Sequence, residues 1–150
     1  MGLFRFGMSN AETFISIIAA IKEDEPFSQA CLEIVKRIPE DFVLTEPSII
    51  YQEVCGTLAR RVDLQTARIA EELLNKMIHP ALLVSCNKLF CLSAYPLCKE
   101  YEIYSVDALY LRVALDKNAI LVSLDKEDFV DRVREKNPPI EIYHVSDFPY

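Results

Sequence analysis

The chain has 150 residues, of which 51% are hydrophobic and only 3 are glycine. This composition argues against disorder and predicts a single domain over residues 1–150, large enough to bury a core without disulfides or a structural metal. The formal charge of −7 disfavours non-specific attachment to nucleic acid, which depends on basic side chains. The same charge is compatible with an acidic site that holds a divalent cation.

The apolar segments at 14–21, 81–84 and 119–124 are each well short of the roughly 20 residues that a membrane span needs. Residues 1–6 lack the long apolar region and the cleavage site of a secretory signal. The five cysteines form no C-x-x-C pair, so we expect buried, reduced thiols rather than a zinc or disulfide framework. We therefore expect a cytoplasmic protein without a membrane segment.

Strand patterns alternate with helix patterns along the chain. The predicted strands are 3–8, 41–45, 81–85, 119–123 and 140–145. The predicted helices are 11–22, 26–39, 47–62, 64–78, 88–100, 106–117 and a short one after Asp125. Pro96 predicts a break, a kink or two short helices within 88–100. The alternation predicts an α/β fold of three α/β/α layers around a mainly parallel sheet.

Acidic residues are placed where such a sheet gathers its ligands, near the carboxyl ends of the strands. Asp125 follows the strand 119–123, Asp107 lies in the first turn of its helix, and Glu53 lies on the helix after the second strand. Crowded carboxylates are tolerated when a cation neutralises them or when some stay protonated. The three acids therefore form a candidate site for Mg²⁺, which prefers oxygen ligands.

Each acid also has an ordinary structural explanation. Asp107 would complement the helix dipole, and Asp125 would form a turn or an N-cap. Glu53 would lie on a solvated face or pair with Arg60 or Arg61. Taken one at a time, these explanations are stronger than metal binding.

Local sequence around all three acids resembles the PIN domain family, close to its VapC toxin branch. The segments that carry the resemblance are Tyr51-Gln52-Glu53-Val54, the run from Tyr104 to Leu111, and the run from Leu121 to Phe129. Their order and spacing span about two-thirds of the chain. The resemblance implies a PIN-like fold and a metal-dependent ribonuclease.

The resemblance assigns Glu53, Asp107 and Asp125 as catalytic metal ligands, with Ser123 as a supporting hydroxyl and Asp128 as a further candidate. The cofactor it implies is Mg²⁺ or Mn²⁺.

The family has a further Asp after its first strand, and here that position is Asn10. An amide keeps an oxygen that coordinates weakly, or through water, but removes one formal charge. Glu12, two residues on, is a candidate to supply the missing charge from a longer side chain.

Basic and aromatic side chains offer two weaker predictions. Arg60, Arg61 and Arg112 are candidates to contact RNA phosphates, against the alternative that they are solubilising charges. Tyr101, Tyr104 and Tyr110, near Asp107, would either stack on an unpaired base or pack in the core or an interface, and packing is the stronger interpretation.

The leading hypothesis is a PIN-like, Mg²⁺- or Mn²⁺-dependent endoribonuclease, the toxin of a toxin-antitoxin pair. Its resemblance implies an RNA substrate, a homodimer and a small antitoxin partner. The rival hypothesis, motivated by Asn10, is a catalytically weakened PIN-like module that binds RNA or a protein partner without cleavage.

Overall fold

The computed structural model describes residues 3–6 and 27–150, and the predicted helix over 11–22 lies outside these ranges. The five strands found there are β1 (Leu3–Phe6), β2 (Phe42–Pro47), β3 (Leu83–Val84), β4 (Leu121–Ser123) and β5 (Ile142–His144). Each corresponds to a predicted strand, with shifted or shortened ends. The alternation of short apolar runs and helices was therefore a correct guide to where strands form.

Two of the three strand pairings in the described ranges are parallel. β2 pairs with β3, and β4 pairs with β5 so that Ser123 lies opposite His144. β1 pairs with β2 in the antiparallel direction and also contacts β4. The described strands thus form one sheet of three and one of two, and the carboxyl ends of β4 and β5 lie side by side.

Seven α-helices lie within the described ranges. They are α1 (Ser28–Val35), α2 (Thr57–Arg61), α3 (Leu64–Met77), α4 (Lys88–Ala94), α5 (Pro96–Tyr101), α6 (Ser105–Lys117) and α7 (Arg132–Glu135). A first π-helical segment, Gln52–Gly56, runs into α2, and a second, Lys126–Asp131, runs into α7. Of the alternatives at Pro96, two short helices is the correct one, because Pro96 is the first residue of α5.

The prediction that Pro47 starts a helix is wrong. Pro47 is the last residue of β2 and lies opposite Val84 in the parallel pairing. The chain stays extended because the N–H of Ser48 donates to the Val84 carbonyl at 2.8 Å. Proline fits both the end of a strand and the start of a helix, so its presence alone could not distinguish the two.

β4 and α6 lie at the centre of the core. All three residues of β4 are fully buried, as are Tyr110 and Leu111 of α6. A strand covered on both faces explains why its sequence shows no polar alternation. Within the described ranges, no helix is long and apolar enough to span a membrane.

The five cysteines are unpaired thiols, but the expectation that they are buried holds fully only for Cys31. Burial raises the pKa of the Cys31 thiol to about 11. Cys91, in contrast, is exposed on α4. It follows two apolar residues in the sequence, and local hydrophobicity cannot show that this face of the helix turns outward.

Candidate active site

Glu53 lies on the first π-helical segment, directly after β2, and is half-buried. The hydroxyl of Tyr110 donates a hydrogen bond to its Oε2. Tyr110 lies on α6 and is fully buried, and burial, followed by the negative charges of Glu46 and Glu53, raises the pKa of its phenol. The phenol therefore stays protonated and remains a donor to Glu53.

Asp107 lies in the first turn of α6 and is only 7% exposed. Burial raises the pKa of its carboxyl group to about 7, and the charges of Asp125, Glu53 and Asp128 contribute to the same shift. Each of these causes disfavours the ionised form. The protein therefore favours the protonated form of Asp107 up to about neutral pH.

Asp125 follows β4 and is held by the backbone around it. Its N–H donates to the Ser123 Oγ at 3.1 Å, and its Oδ1 accepts from the Asp128 N–H at 3.0 Å. Asp125 is therefore the N-cap of the second π-helical segment, as the structural explanation predicted. A carboxylate has several acceptor positions, so capping does not prevent it from also binding a cation.

The carboxyl end of β5 stabilises the same loop. His144 is buried, and its Nε2 lies 3.2 Å from the Leu124 carbonyl, next to Asp125. Its Nδ1 lies 2.6 Å from the Ser146 Oγ. Because a carbonyl only accepts, Nε2 carries the proton that it donates to Leu124.

Asp128 is near the other acids but already has a cationic partner. Its Oδ1 pairs with the Arg132 guanidinium, which also donates to the Glu102 carbonyl at 2.7 Å. This pairing makes Asp128 a poorer candidate ligand than the other three acids. The negative charge of Asp128 still contributes to the raised pKa of Asp107.

The donor set has the right chemistry for a divalent cation. No group of three or more His, Cys, Asp or Glu side chains among the described residues is close enough together to hold a metal ion. Glu53, Asp107 and Asp125 nevertheless lie near enough for their charges to interact. The atoms that they could offer to a cation are all carboxylate oxygens. The negative charge that these acids place around Asp107 is charge that a divalent cation would neutralise.

The remaining predicted residues lie outside this cluster or beyond what is described. Asn10 and Glu12 fall outside the described residues. Arg60 and Arg61 are exposed in the last turn of α2. Arg112 is half-buried on α6, pairs with Asp116 and interacts electrostatically with Tyr101.

The sequence analysis did not predict the hydrogen bond from Tyr110 to Glu53. It also did not predict that Glu46 is buried. Packing was the better of the two explanations for Tyr110, but its bond to Glu53 depends on tertiary contacts that no local pattern shows. Glu46 is fully buried near the carboxyl end of β2. Asp125 was identified because it is a polar residue near the carboxyl end of a predicted strand. Glu46 directly follows the predicted strand 41–45, so the same pattern could have identified it.

Comparison with known proteins identifies the family. A model described as the PIN domain matches residues 16–136, which is most of the chain. The chain therefore belongs to the PIN domain family, whose members are generally nucleases that use divalent metals.

One solved structure with the same fold contains a VapBC complex. A chain in the crystal structure of VapBC2 from Rickettsia felis, bound to a DNA fragment from their promoter, is similar with a TM-score of 0.58. The match covers 88% of this chain and 97% of that chain, at 11% sequence identity. At that identity the likeness shows the shared fold. A search of curated proteins gives no match.

We predict that Asp107 makes the metal-free protein less stable as the pH rises. Its folded-state pKa is raised to about 7, so its contribution to stability is fully present below about pH 4 and is lost as the pH approaches 7. D107N should therefore match the wild type near pH 4 and be more stable at pH 8, by a few kcal/mol in order of magnitude.

Urea unfolding in a chelator, repeated from pH 4 to 8, measures this difference. The control is D116N, which changes an exposed acid on the same helix. Parallel stability curves for D107N and the wild type would contradict the prediction. Excess Mg²⁺ should narrow the gap at pH 8 because a bound cation stabilises the ionised wild-type site.

Proposed function

We propose that the protein is a Mg²⁺- or Mn²⁺-dependent endoribonuclease that hydrolyses RNA phosphodiesters at the acidic cluster. The observation that carries the proposal is the burial of Asp107 within reach of the charges of Glu53 and Asp125. A buried acid with a raised pKa among like charges is typical of a functional site. Membership of the PIN family supports the assignment of this site to a nuclease.

In this proposal Glu53, Asp107 and Asp125 hold the cation, and Asp128 and Glu12 are further candidates. Ser123 supports Asp125 because its hydroxyl accepts the Asp125 N–H. Asp128 stays with Arg132 and contributes negative potential without being the principal ligand. Each of the three main ligands comes from a different part of the fold: Glu53 follows β2, Asp125 follows β4, and Asp107 lies in the first turn of α6.

When bound, the cation supplies stabilisation of the negative charge that develops on the phosphodiester and lowers the pKa of nearby water. The protein's own residues position the substrate. Arg60 and Arg61 are exposed at the end of α2, on the chain segment that continues from Glu53, and are proposed to contact phosphates. Arg112 is the weakest of these candidates because Asp116 already pairs with it.

D107N should abolish Mn²⁺-dependent cleavage of single-stranded RNA without unfolding the protein. The substitution keeps the size of the side chain but removes the charge that a cation would neutralise. Cleavage is measured by gel electrophoresis of labelled RNA, and folding by circular dichroism. D116N on the same helix should cleave like the wild type, whereas metal-dependent cleavage by D107N at the wild-type rate would refute the assignment of Asp107.

The second candidate function is a weakened PIN module that binds RNA or a protein partner without cutting. One observation favours it: Asn10 stands where the family has an Asp. An amide in place of a carboxylate lowers the attraction for a cation.

Comparing the wild type with N10D distinguishes the two functions. The ribonuclease hypothesis predicts that both proteins cleave RNA in Mn²⁺, and that N10D needs less Mn²⁺ for half-maximal activity. Cleavage by N10D alone would support the weakened module instead. Mn²⁺ titrations of the cleavage rate, with D107N as the inactive control, measure the difference.

We further propose that the protein is a homodimeric, cytoplasmic toxin held inactive by a small antitoxin. The support is its PIN family and the shared fold with a chain of the VapBC2 structure. Induced expression in a bacterial host should then arrest growth, D107N should not, and a small protein encoded immediately upstream should restore growth when co-expressed. Growth that continues despite folded, expressed wild-type protein would contradict the toxin proposal.

A further inference from the structure

We propose that Tyr110 is a positioning residue, whose buried hydroxyl ties Glu53 to the helix that carries Asp107 so that both acids are presented to the same cation. This inference rests on the proposed function, because it concerns ligands of the proposed metal site. It adds a residue outside the set of acids and predicts a measurable effect on metal binding.

The geometry of α6 is the first support. Asp107 and Tyr110 are three residues apart on this helix, so both side chains lie on the same face, about one turn apart. Glu53 belongs to a separate segment after β2, and the Tyr110 hydroxyl donates to its Oε2. The hydrogen bond therefore connects the segment carrying one proposed ligand to the helix carrying another.

Burial makes this connection rigid. Tyr110 is fully buried, and the helix that carries it packs against β2. A buried side chain has few alternative rotamers, so a group bonded to it is also restrained. Glu53 is half-buried and would otherwise have three rotatable bonds with which to turn away from Asp107.

The chemistry of the pair favours positioning of a carboxylate. A glutamate carboxylate only accepts hydrogen bonds, and the phenol supplies one donor. Groups that hydrogen-bond to metal ligands orient them, and their removal typically weakens metal affinity by 10- to 100-fold. A phenylalanine at this position would fill the same volume but leave Glu53 without this donor.

The test measures metal binding without reference to RNA cleavage. Mn²⁺ affinity is determined by electron paramagnetic resonance for the wild type and for Y110F. We expect Y110F to bind Mn²⁺ about 10-fold more weakly. Equal affinities in the two folded proteins would overturn the inference.

Y143F is a matched control. The Tyr143 hydroxyl donates to the Glu141 Oε2 at 2.7 Å, so Y143F also removes one bond from a tyrosine hydroxyl to a glutamate carboxylate, on a pair outside the proposed metal site. We expect wild-type affinity for Mn²⁺ in Y143F. An equal loss in both variants would show that Tyr110 acts only through general stability and would overturn the positioning role.

A double-mutant cycle with E53Q tests whether Tyr110 acts through Glu53. In the E53Q background, Y110F should cause little further loss of Mn²⁺ affinity, because the group that it positions is already altered. A full and additive loss would overturn the inference, since Tyr110 would then act on another group.

The outcomes separate this inference from the proposed function. A wild type that binds no Mn²⁺ would refute both, whereas strong binding that is unchanged in Y110F would refute only the role of Tyr110. Binding that weakens in Y110F in a protein that cleaves no RNA would support Tyr110 and refute the ribonuclease.

A second measurement is needed if Y110F does not fold. The wild type is labelled with 3-fluorotyrosine, and the other six of its seven tyrosines are assigned by single phenylalanine substitutions. The remaining fluorine resonance belongs to Tyr110 and should shift on titration with Mg²⁺, while that of Tyr143 should not. The absence of a shift at saturating Mg²⁺ would overturn the inference.

Discussion

The arrangement of the site depends on the burial of one carboxyl group, that of Asp107, among other acids. Removing a carboxylate from water is costly unless it is paired, and no basic side chain among the described residues forms an ion pair with Asp107. The start of α6 offsets part of this cost, because a helix N-terminus favours negative charge. A proton on Asp107 removes the remaining cost, and in the proposed function a bound cation would do the same.

The acids around Asp107 are each held by a different kind of neighbour. Glu53 accepts from the phenol of Tyr110, Asp125 caps a π-helical segment, and Asp128 pairs with Arg132. A neutral donor orients a carboxylate without cancelling its charge, whereas a guanidinium cancels most of it. Glu53 and Asp125 therefore keep negative charge available near Asp107, and Asp128 keeps less.

Local sequence predicted the features that depend on local physics. The helix of Asp107 and the buried strand before Asp125 were identified by periodicity and continuous hydrophobicity, and Pro96 correctly marked a helix boundary. The features that were missed depend on contacts between distant segments. Proline is compatible with the end of a strand and with the start of a helix, and the pairing of Pro47 with Val84 decides for the strand. The antiparallel direction of β1 likewise follows from its pairing with β2 and not from its own residues.

Formal charge is the reason to expect that position 10 influences the proposed activity. Glu53, Asp107 and Asp125 together carry three negative charges when ionised, so one divalent cation leaves the site negative and two would make it positive. Arg132 prevents Asp128 from adding a fourth charge. If position 10 belongs to the site, as family resemblance implies, an Asp there would balance two divalent cations, whereas Asn10 favours the binding of one. In the proposed site, the acids of the described chain would attract a cation, and the residue at position 10 would set how much cationic charge they balance.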